Sequence, residues 1–531
     1  MSFDAQASAM SHAEIVELLK VHHALKQSHD ELERSRDELA RQVEWFKRQL
    51  FGSKSERRIF DELGHQLTLG EIQRAERSMP PEIEVAGHRR RSADGANGAD
   101  AQALRFDESV PVEEIVVGNQ EIEHPEDWAL VGEKVSLRLA QRPGSYVVLR
   151  YVRKVYKRKT DGVFSCAPAP AAVLEKSCAD VSFLAGLLID KFVYHLPLYR
   201  QHQRLTAVGV HLGRSTLTRL VHRTAELLEP VYVAQMRSIL ASSVLAMDET
   251  PIKAGRKKRS PPQRGAMRTA YFWPIYGDRD EIAFPFATTR GSEVVREALK
   301  DYGGVLLSDG YRVYERFAEA ANRVVHAQCW SHTRRHVEEA EASEPARCGK
   351  ALGMIGELYH CEKEMRALGL PPEKVLRYRA EHAKPVVDRF FTWLRSALET
   401  EVFLPTNPFT KAANYALTRE KALRVFLGYP NVPLDTNHLE RSIRPIAMGR
   451  KAWLFCWTEI GAEYVGIIQS LLSTCRVQGI DPYTYLVDVL QRIDRHPAKN
   501  AELLTPRLWK ENFAENPLRS DLDRVPVPCQ K

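Results

Sequence analysis

Hydrophobic side chains near the start of the chain recur at a spacing of seven residues. The repeat consists of Leu18, Leu25, Leu32, Leu39 and Phe46. Glu, Arg and Lys are frequent between these positions, which is typical of a coiled coil that pairs two or more chains. An amphipathic helix packed on its own protein is the alternative. The length of the run favours the coiled coil, and we assign residues 1–58 to this helix and a basic segment that follows it.

The pattern then changes twice before residue 175. Residues 59–106 include a stretch rich in Pro, Gly, Ala and Asp without hydrophobic periodicity, which predicts a flexible linker. Residues 107–175 contain three β-branched or alternating runs, VSLRLA, YVVLRYVRKVYK and GVFSCA, separated by the turn-forming sequences QRPGS and RKTDG. These runs predict a small β domain.

Residues 176–235 have a helical pattern. One apolar helix is followed by two helices joined by a short turn with Gly209, and Ser215 or Thr216 is expected to cap the second of these. This spacing resembles a helix-turn-helix, in which Arg214 and Arg219 would contact DNA. A generic helical hairpin has the same spacing and is the alternative.

Two apolar runs in the region 236–455 end in an aspartate. SSVLAMDETPIK contains Asp248, and GGVLLSDGYRVY contains Asp309. Between them lie two strand candidates, 269–277 and 281–289, and a helix candidate at 292–300. A mixed sheet flanked by helices gives an α/β fold, and functional groups cluster at strand ends in such sheets. For Asp309 alone, an ordinary Asp-Gly turn explains the pattern equally well.

A third carboxylate, Glu440, lies in the basic sequence DTNHLERSIRPIAMGRK at 435–451. A surface ion pair with its neighbours would explain it, and so would a metal site that acts on a phosphate. If residues 437–444 are helical, one face carries Asn437, Glu440, Arg441 and Arg444.

Carboxylates gathered together repel one another unless a cation is present, and their hard oxygens suit Mg²⁺ or Mn²⁺. Two such ions, roughly 3.5–4 Å apart, would stabilise the attacking and leaving oxygens of an in-line phosphoryl displacement. The nearby basic residues would hold the phosphodiester: Arg441, Arg444, Arg450 and Lys451.

Composition adds few constraints. Lys and Arg outnumber Asp and Glu by 76 to 69, which is too mild an excess to prove a nucleic-acid partner. A local cluster, KAGRKKR at 253–259, places Arg256, Lys257 and Lys258 in a DNA-contacting loop or in a merely solvated hairpin. The chain shows no pattern typical of a signal peptide, no apolar run long enough to span a bilayer, and no CxxC pair among eight cysteines. These features predict a cytoplasmic protein with free thiols.

Asp248 in MDET, Asp309 in LLSDGY and Glu440 in NHLERSIRP resemble the DDE triad of the insertion-sequence-66 family of bacterial transposases. The resemblance extends over most of the chain. It includes LFGSKSER (50–57), LPLYRQ (196–201), QCWSHTRR (328–335), NHLERSIRPIAMGRKAWLF (437–455) and SLLSTCRVQGIDPYTYLVDVL (470–490).

The resemblance implies a multidomain α/β protein with a ribonuclease-H-like catalytic domain at 236–455 and a helical C-terminal region at 456–531. A helical insertion would occupy about 335–430. The three acids would be both catalytic residues and ligands of two Mg²⁺ or Mn²⁺ ions. Double-stranded DNA, as transposon ends and as target, would be the partner of an oligomer that is at least a dimer. Small accessory transposition proteins are further candidate partners, and the implied location is the bacterial cytoplasm at the nucleoid.

Further residues have a structural or DNA-contact role in this interpretation: Cys329 and His332 of a CxxH sequence, Arg334, Arg335 and Asn437. The family often carries a zinc-binding segment with two Cys pairs before the helix-turn-helix. Here residues 121–133 replace the first pair, and Cys166 alone remains of the second. We therefore expect the β segment to keep its shape without zinc.

Two other functions remain open. A ribonuclease-H-like nuclease or resolvase would cut DNA without joining it. A DNA-binding repressor derived from a transposase would bind without catalysis, although a mere binder has no physical need for three convergent carboxylates.

Overall fold

The computed structural model describes residues 104–119, 122, 124–142, 144–256, 267–399, 405–454, 456 and 458–524. The heptad repeat and nearly all of the predicted linker lie outside these residues, as do Lys257 and Lys258. Within the described residues, no helix is long and apolar enough to cross a membrane. The seven cysteines among them form no disulfide.

The strands assemble into four sheets within this part of the chain. Their bounds are β1 Arg105–Phe106, β2 Val112–Val117, β3 Trp128–Arg142, β4 Ser145–Arg158, β5 Phe164–Cys166, β6 Val210–His211, β7 Val244–Met247, β8 Thr250–Arg256, β9 Met267–Phe272, β10 Ile275–Gly277, β11 Glu281–Ala283, β12 Phe286–Ala287, β13 Val305–Ser308 and β14 Val325–Gln328.

The α-helices of the described residues all follow β5 in the chain. Their bounds are α1 Val181–Phe192, α2 Leu198–Ala207, α3 Arg214–Leu240, α4 Ser292–Ala298, α5 Arg312–Ala320, α6 Trp330–Ala340, α7 Pro345–Ala367, α8 Pro372–Tyr378, α9 Lys384–Glu399, α10 Pro408–Leu417, α11 Glu420–Leu423, α12 Asn437–Trp453, α13 Glu459–Val477, α14 Pro482–Arg492 and α15 Pro506–Asn512. A π-helical turn lies at Arg379–Ala383, and short 3₁₀ turns lie at Pro125–Asp127, Val425–Leu427, Ala498–Leu504 and Asp521–Arg524.

The three strands predicted between residues 107 and 175 are present as β3, β4 and β5. β4 pairs with β3 in antiparallel register along almost its whole length and with β2 in parallel register. β5 adds to β4 beyond the second turn. The alternating apolar positions therefore form one twisted sheet, as the sequence pattern predicts.

A five-stranded sheet in the order β11-β10-β7-β13-β14 forms the centre of the described chain. β10 is antiparallel to both of its neighbours, whereas β13 is parallel to β7 and to β14. Val244 and Ala246 of β7 enter one apolar core, and Leu245 and Met247 enter a second core on the opposite face. A strand buried on both faces reads as a continuous apolar run, which explains the sequence VLAM.

The two strand candidates between the aspartates are each divided in two by a proline, which corrects the prediction. Pro274 separates β9 from β10, and Pro285 separates β11 from β12. A proline has no N–H to donate to a ladder, so pairing stops there. β10 and β11 join the central sheet, while β9 and β12 form a three-stranded sheet with β8.

The start of α3 also differs from the prediction. Gly213 occupies the N-cap position and the helix begins at Arg214, so neither Ser215 nor Thr216 caps it. The short strand β6 precedes this helix and pairs with β1. Gly213, which follows it, has an extended backbone. α3 then continues to Leu240 through the predicted boundary between 235 and 236.

Candidate active site

Asp248 and Asp309 follow the carboxyl ends of two neighbouring parallel strands. β7 and β13 are paired from Val244↔Val305 to Ala246↔Leu307, and each strand ends one residue later, immediately before its aspartate. Parallel neighbours end at the same edge of a sheet, which brings the two carboxylates together. Oδ1 of Asp309 accepts the backbone N–H of Tyr311 at 2.9 Å. The Asp-Gly turn chemistry and the position at the sheet edge therefore occur together in Asp309.

The pKa of Asp248 is raised from its ordinary value of 3.8 to about 7. Burial is the largest cause, and the neighbouring carboxylates of Asp309 and Glu249 add to it. A hydrogen bond from the backbone N–H of Glu249, 2.7 Å from Oδ1, and the imidazole of His332 act in the opposite direction. Clustered carboxylates that hold a proton near neutral pH are typical of functional sites.

Glu440 lies in the first turn of α12 and faces α6. Its Oε1 is 3.9 Å from Nε2 of His332, and its Oε2 is 3.9 Å from Nη2 of Arg335. The imidazole of His332 also lowers the pKa of Asp248. His332 therefore interacts with both Glu440 and Asp248.

Backbone hydrogen bonds of Cys329 and Trp330 connect the segment just before α12 with the end of β13. The backbone N–H of Cys329 donates to the carbonyl of Ser308 at 3.1 Å, and that of Trp330 donates to the carbonyl of Leu434 at 3.0 Å. Sγ of Cys329 accepts from both the backbone N–H and Oγ1 of Thr436 at 3.3 Å. Burial raises the pKa of this thiol, which keeps it protonated. Of the two roles predicted for Cys329, its burial and contacts support the structural one.

The basic residues around Glu440 point in different directions. Asn437 shares the face of Glu440, since Oγ of Ser331 on α6 approaches its Oδ1 at 3.5 Å. Arg441 instead lines a cavity of about 500 Å³, together with His438 and other residues.

Arg450 has an internal role that the sequence analysis missed. Its Nη1 donates to Oγ1 of Thr250 at 3.1 Å and to the carbonyl of Pro251 at 2.6 Å. These contacts tie the last turns of α12 to β8. Arg444 and Lys451 are exposed on the same helix.

The other residues predicted to contact DNA lie on α3, β8 and α6. Arg214 is half-buried at the start of α3, with its guanidinium 5.7 Å from the ring centre of Tyr199, and Arg219 is exposed one turn further on. Arg256 is the last residue of β8. Arg334 forms an ion pair with Glu338 at 2.8 Å on the outer surface of α6.

A further acidic residue, Glu249, lies beside Asp248, and the sequence analysis did not single it out. Its side chain is 4% exposed and pairs with Arg290, whose Nε is 2.9 Å from Oε1. Oη of Tyr314 donates to its other oxygen at 2.8 Å. Its position next to Asp248 in MDET is the sequence feature that could have identified it. Its two partners could not be inferred from the sequence, because they lie 41 and 65 residues away in the chain.

The donor chemistry of the three acids fits a hard divalent cation. Asp248, Asp309 and Glu440 offer carboxylate oxygens, which are the ligands that Mg²⁺ and Mn²⁺ prefer. Across residues 104–524, as far as the structure describes them, three or more His, Cys, Asp or Glu side chains do not converge in a ready-formed metal site. The carboxylate of Glu440 is directed instead toward His332 and Arg335.

Comparison with protein families gives three consecutive matches. The model described as Transposase IS66 family matches residues 176–464, and the IS66 C-terminal element matches residues 470–506. A model described as Transposase C of IS166 homeodomain matches residues 38–115.

Individual relatives are also similar along much of their length. The uncharacterised protein y4hP of Sinorhizobium fredii is 29% identical over 504 residues, which cover 89% of this chain and 88% of that protein. The uncharacterised protein y4jD of the same organism is 28% identical over 401 residues, which cover 72% of this chain and 76% of that protein. Among solved structures, the Drosophila P element transposase strand transfer complex matches 55% of this chain and 92% of that chain, with 11% identity and a TM-score of 0.29.

The first family model covers more than half of the chain and includes all three acids. The chain belongs to the IS66 transposase family.

Proposed function

We propose that the protein is a DNA transposase that binds transposon terminal inverted repeats and catalyses metal-dependent strand cleavage and strand transfer. The observation that carries this proposal is the position of Asp248 and Asp309 at the ends of adjacent parallel strands. Glu440 faces the same site from α12 across His332. Three acids from distant parts of one chain have a clear use in phosphoryl transfer and little use in binding alone.

The topology of the central sheet supports a ribonuclease-H-like catalytic domain. The antiparallel series β7, β10 and β11 lies on one side, and the parallel strands β13 and β14 extend the sheet on the other. In this proposal the domain spans 236–455, with the helical insertion at about 335–430 and the helical region 456–531 after it. Residues 107–175 and 176–235 would be the small β domain and the DNA-binding region.

Asp248, Asp309 and Glu440 would hold two Mg²⁺ or Mn²⁺ ions. When bound, these ions would polarise the scissile phosphate and stabilise the charge on the attacking and leaving oxygens. Asp248 would lose its proton on metal binding, because a carboxyl group must be ionised to act as a ligand. Glu440 would turn its carboxylate from His332 and Arg335 toward the two aspartates. Arg335 would then face the DNA phosphates instead.

DNA contacts would come from basic side chains on two elements. Arg444 and Lys451 on α12 lie on the helix of Glu440, and Arg214 and Arg219 lie at the start of α3. Phosphate contacts of this kind give affinity that falls as salt rises. The heptad repeat would join at least two chains, so that two transposon ends can be held together.

The test is a strand-transfer assay with matched transposon-end DNA, target DNA and Mg²⁺. The proposal predicts cleavage and joining with wild-type protein, and loss of both with Asp248→Ala or without a divalent metal. Cleavage without joining would favour a nuclease or resolvase. Binding without cleavage, unchanged by Asp248→Ala, would favour a repressor.

A further inference from the structure

The turn that follows Asp309 is packed against the helical insertion. A Cβ atom at Gly310 would lie 2.6 Å from Oη of Tyr415 and 2.9 Å from a carbon of its ring. Real Cβ atoms do not approach other atoms so closely, so only glycine allows this contact. Tyr415 lies on α10, more than 100 residues beyond the turn it contacts.

Arg419 reinforces the same contact. Its Nη2 approaches the carbonyl of Gly310 at 3.4 Å, and its guanidinium lies 4.0 Å from the ring centre of Tyr415. Nη1 donates to the carbonyl of Tyr415 at 3.3 Å, so the two side chains form one unit. The ring of His336, from α6, lies 4.2 Å from the ring of Tyr415 at an angle of 46°. Tyr415 is therefore held by contacts from two other side chains.

The residues before and after Asp309 in the chain are each contacted through their backbone carbonyl. The carbonyl of Ser308 accepts from Cys329, and the carbonyl of Gly310 faces Arg419. Metal ligands bind well when outer residues hold them within a fraction of an ångström of the required position. A surface turn would not need a tyrosine and an arginine from a separate helical segment for stability alone.

We propose that Tyr415 and Arg419 are positioning residues that fix the turn of Asp309 for metal binding. This inference rests on the proposed function, since it assumes that Asp309 is a ligand. It also gives the helical insertion a role, which is to support the catalytic acids from one side. Neither residue touches the metal or DNA in this account.

The test compares Tyr415→Leu and Arg419→Gln with wild-type protein by Mn²⁺ titration, followed by electron paramagnetic resonance or calorimetry. We expect Mn²⁺ affinity to fall by about 10-fold to 100-fold in both variants, as is typical when an outer-shell residue is lost. Tyr415→Phe and Arg419→Lys preserve the ring and the cation, so each should restore most of that affinity. Affinity for end DNA should stay within about twofold, since no DNA contact is removed.

Arg424→Gln is the matched control. Arg424 belongs to the same insertion but pairs with Asp388 at 2.6 Å and Glu420 at 2.9 Å instead of the turn. Its loss should leave Mn²⁺ affinity unchanged, which separates positioning from general damage to the insertion. Circular dichroism checks that each variant is folded. If Tyr415→Leu does not fold, the conservative variants keep the test valid.

Unchanged Mn²⁺ affinity in folded Tyr415→Leu and Arg419→Gln would overturn the inference, as would an equal loss in Arg424→Gln. A wild-type protein that binds Mn²⁺ but does not cleave end DNA would contradict the proposed function instead. In that case the Mn²⁺ titrations would still decide the positioning role.

Discussion

Nε2 of His332 lies 3.9 Å from Oε1 of Glu440, and the same imidazole lies close enough to Asp248 to lower its pKa. His332 therefore connects the acid at the end of β7 with the acid on α12. Its other nitrogen, Nδ1, is buried and has no hydrogen-bond partner among the residues that the structure describes.

Replacing His332 with alanine should slow DNA cleavage by about 10-fold to 100-fold, because outer-shell residues of a metal site typically contribute that much. Affinity for end DNA should change little, since the imidazole faces the acids. Single-turnover cleavage rates and a binding titration on the same protein would measure the two effects separately.

Glu338→Ala is the control for this prediction, since Glu338 lies on the same helix and its ion pair with Arg334 is on the outer surface. Its cleavage rate should remain within about twofold of the wild type, because exposed ion pairs contribute little. Equal losses in the two variants would show that α6 was disturbed as a whole.

The raised pKa of Asp248 predicts how stability depends on pH in metal-free protein. The folded state binds this proton up to about pH 7, whereas the unfolded chain releases it near 3.8. Stability from this group is thus fully present below pH 3.8 and is lost as pH rises through about 7. The difference between the two values corresponds to at most about 4 kcal/mol.

Asp248→Asn removes that titration while keeping the size of the side chain. Urea unfolding of both proteins between pH 4 and pH 8 should show the variant gaining stability relative to the wild type as pH rises. Contributions from other groups, such as His326, are common to both proteins and cancel. A difference that stays constant over this range would mean that Asp248 is not protonated in the folded state.

Arg379 should be essential for the stability of the helical segment between α6 and α12. It is 2% exposed and forms a two-point ion pair with Glu362, with distances of 2.7 Å and 2.8 Å. It also donates to the carbonyls of Phe426 and Val432 in the segment that leads to α12. Arg379→Leu leaves Glu362 buried without its partner, which typically costs about 3–5 kcal/mol.

Chemical denaturation would measure this loss, with Arg377→Leu as the control. Arg377 is in the same helical segment, but its ion pair with Glu381 is exposed. Its replacement should have no measurable effect on the denaturation midpoint. A loss for Arg379→Leu no larger than that of the control would contradict the buried-pair argument.

Much of the central sheet and of α12 could be predicted from local sequence patterns. The apolar runs before Asp248 and Asp309 are strands, and residues 437–444 are helical. Phe272 and Trp273, both within the strand candidate at 269–277, are fully buried. Periodicity and composition suffice for such features because burial on a strand or helix face imposes them directly.

Features that depend on distant contacts could not be predicted. Pro274 and Pro285 were visible in the sequence, but the division of their strands between two sheets depends on which partners are available. Arg450 was predicted to hold phosphate, but its contacts with Thr250 and Pro251, about 200 residues away in the chain, could not be predicted from the sequence. The support of the Asp309 turn by Tyr415 joins segments about 100 residues apart, and no local pattern records such a pairing.

The most direct test of the central claim is Glu440→Gln, which keeps the shape of the side chain and removes its charge. We expect Mg²⁺-dependent cleavage of transposon-end DNA to fall by at least about 100-fold, because a metal ligand is lost. Folding and affinity for end DNA should match the wild type. Retention of Mg²⁺-dependent cleavage by this variant would show that Glu440 is an ion-pair partner of His332 and Arg335 and not a catalytic acid.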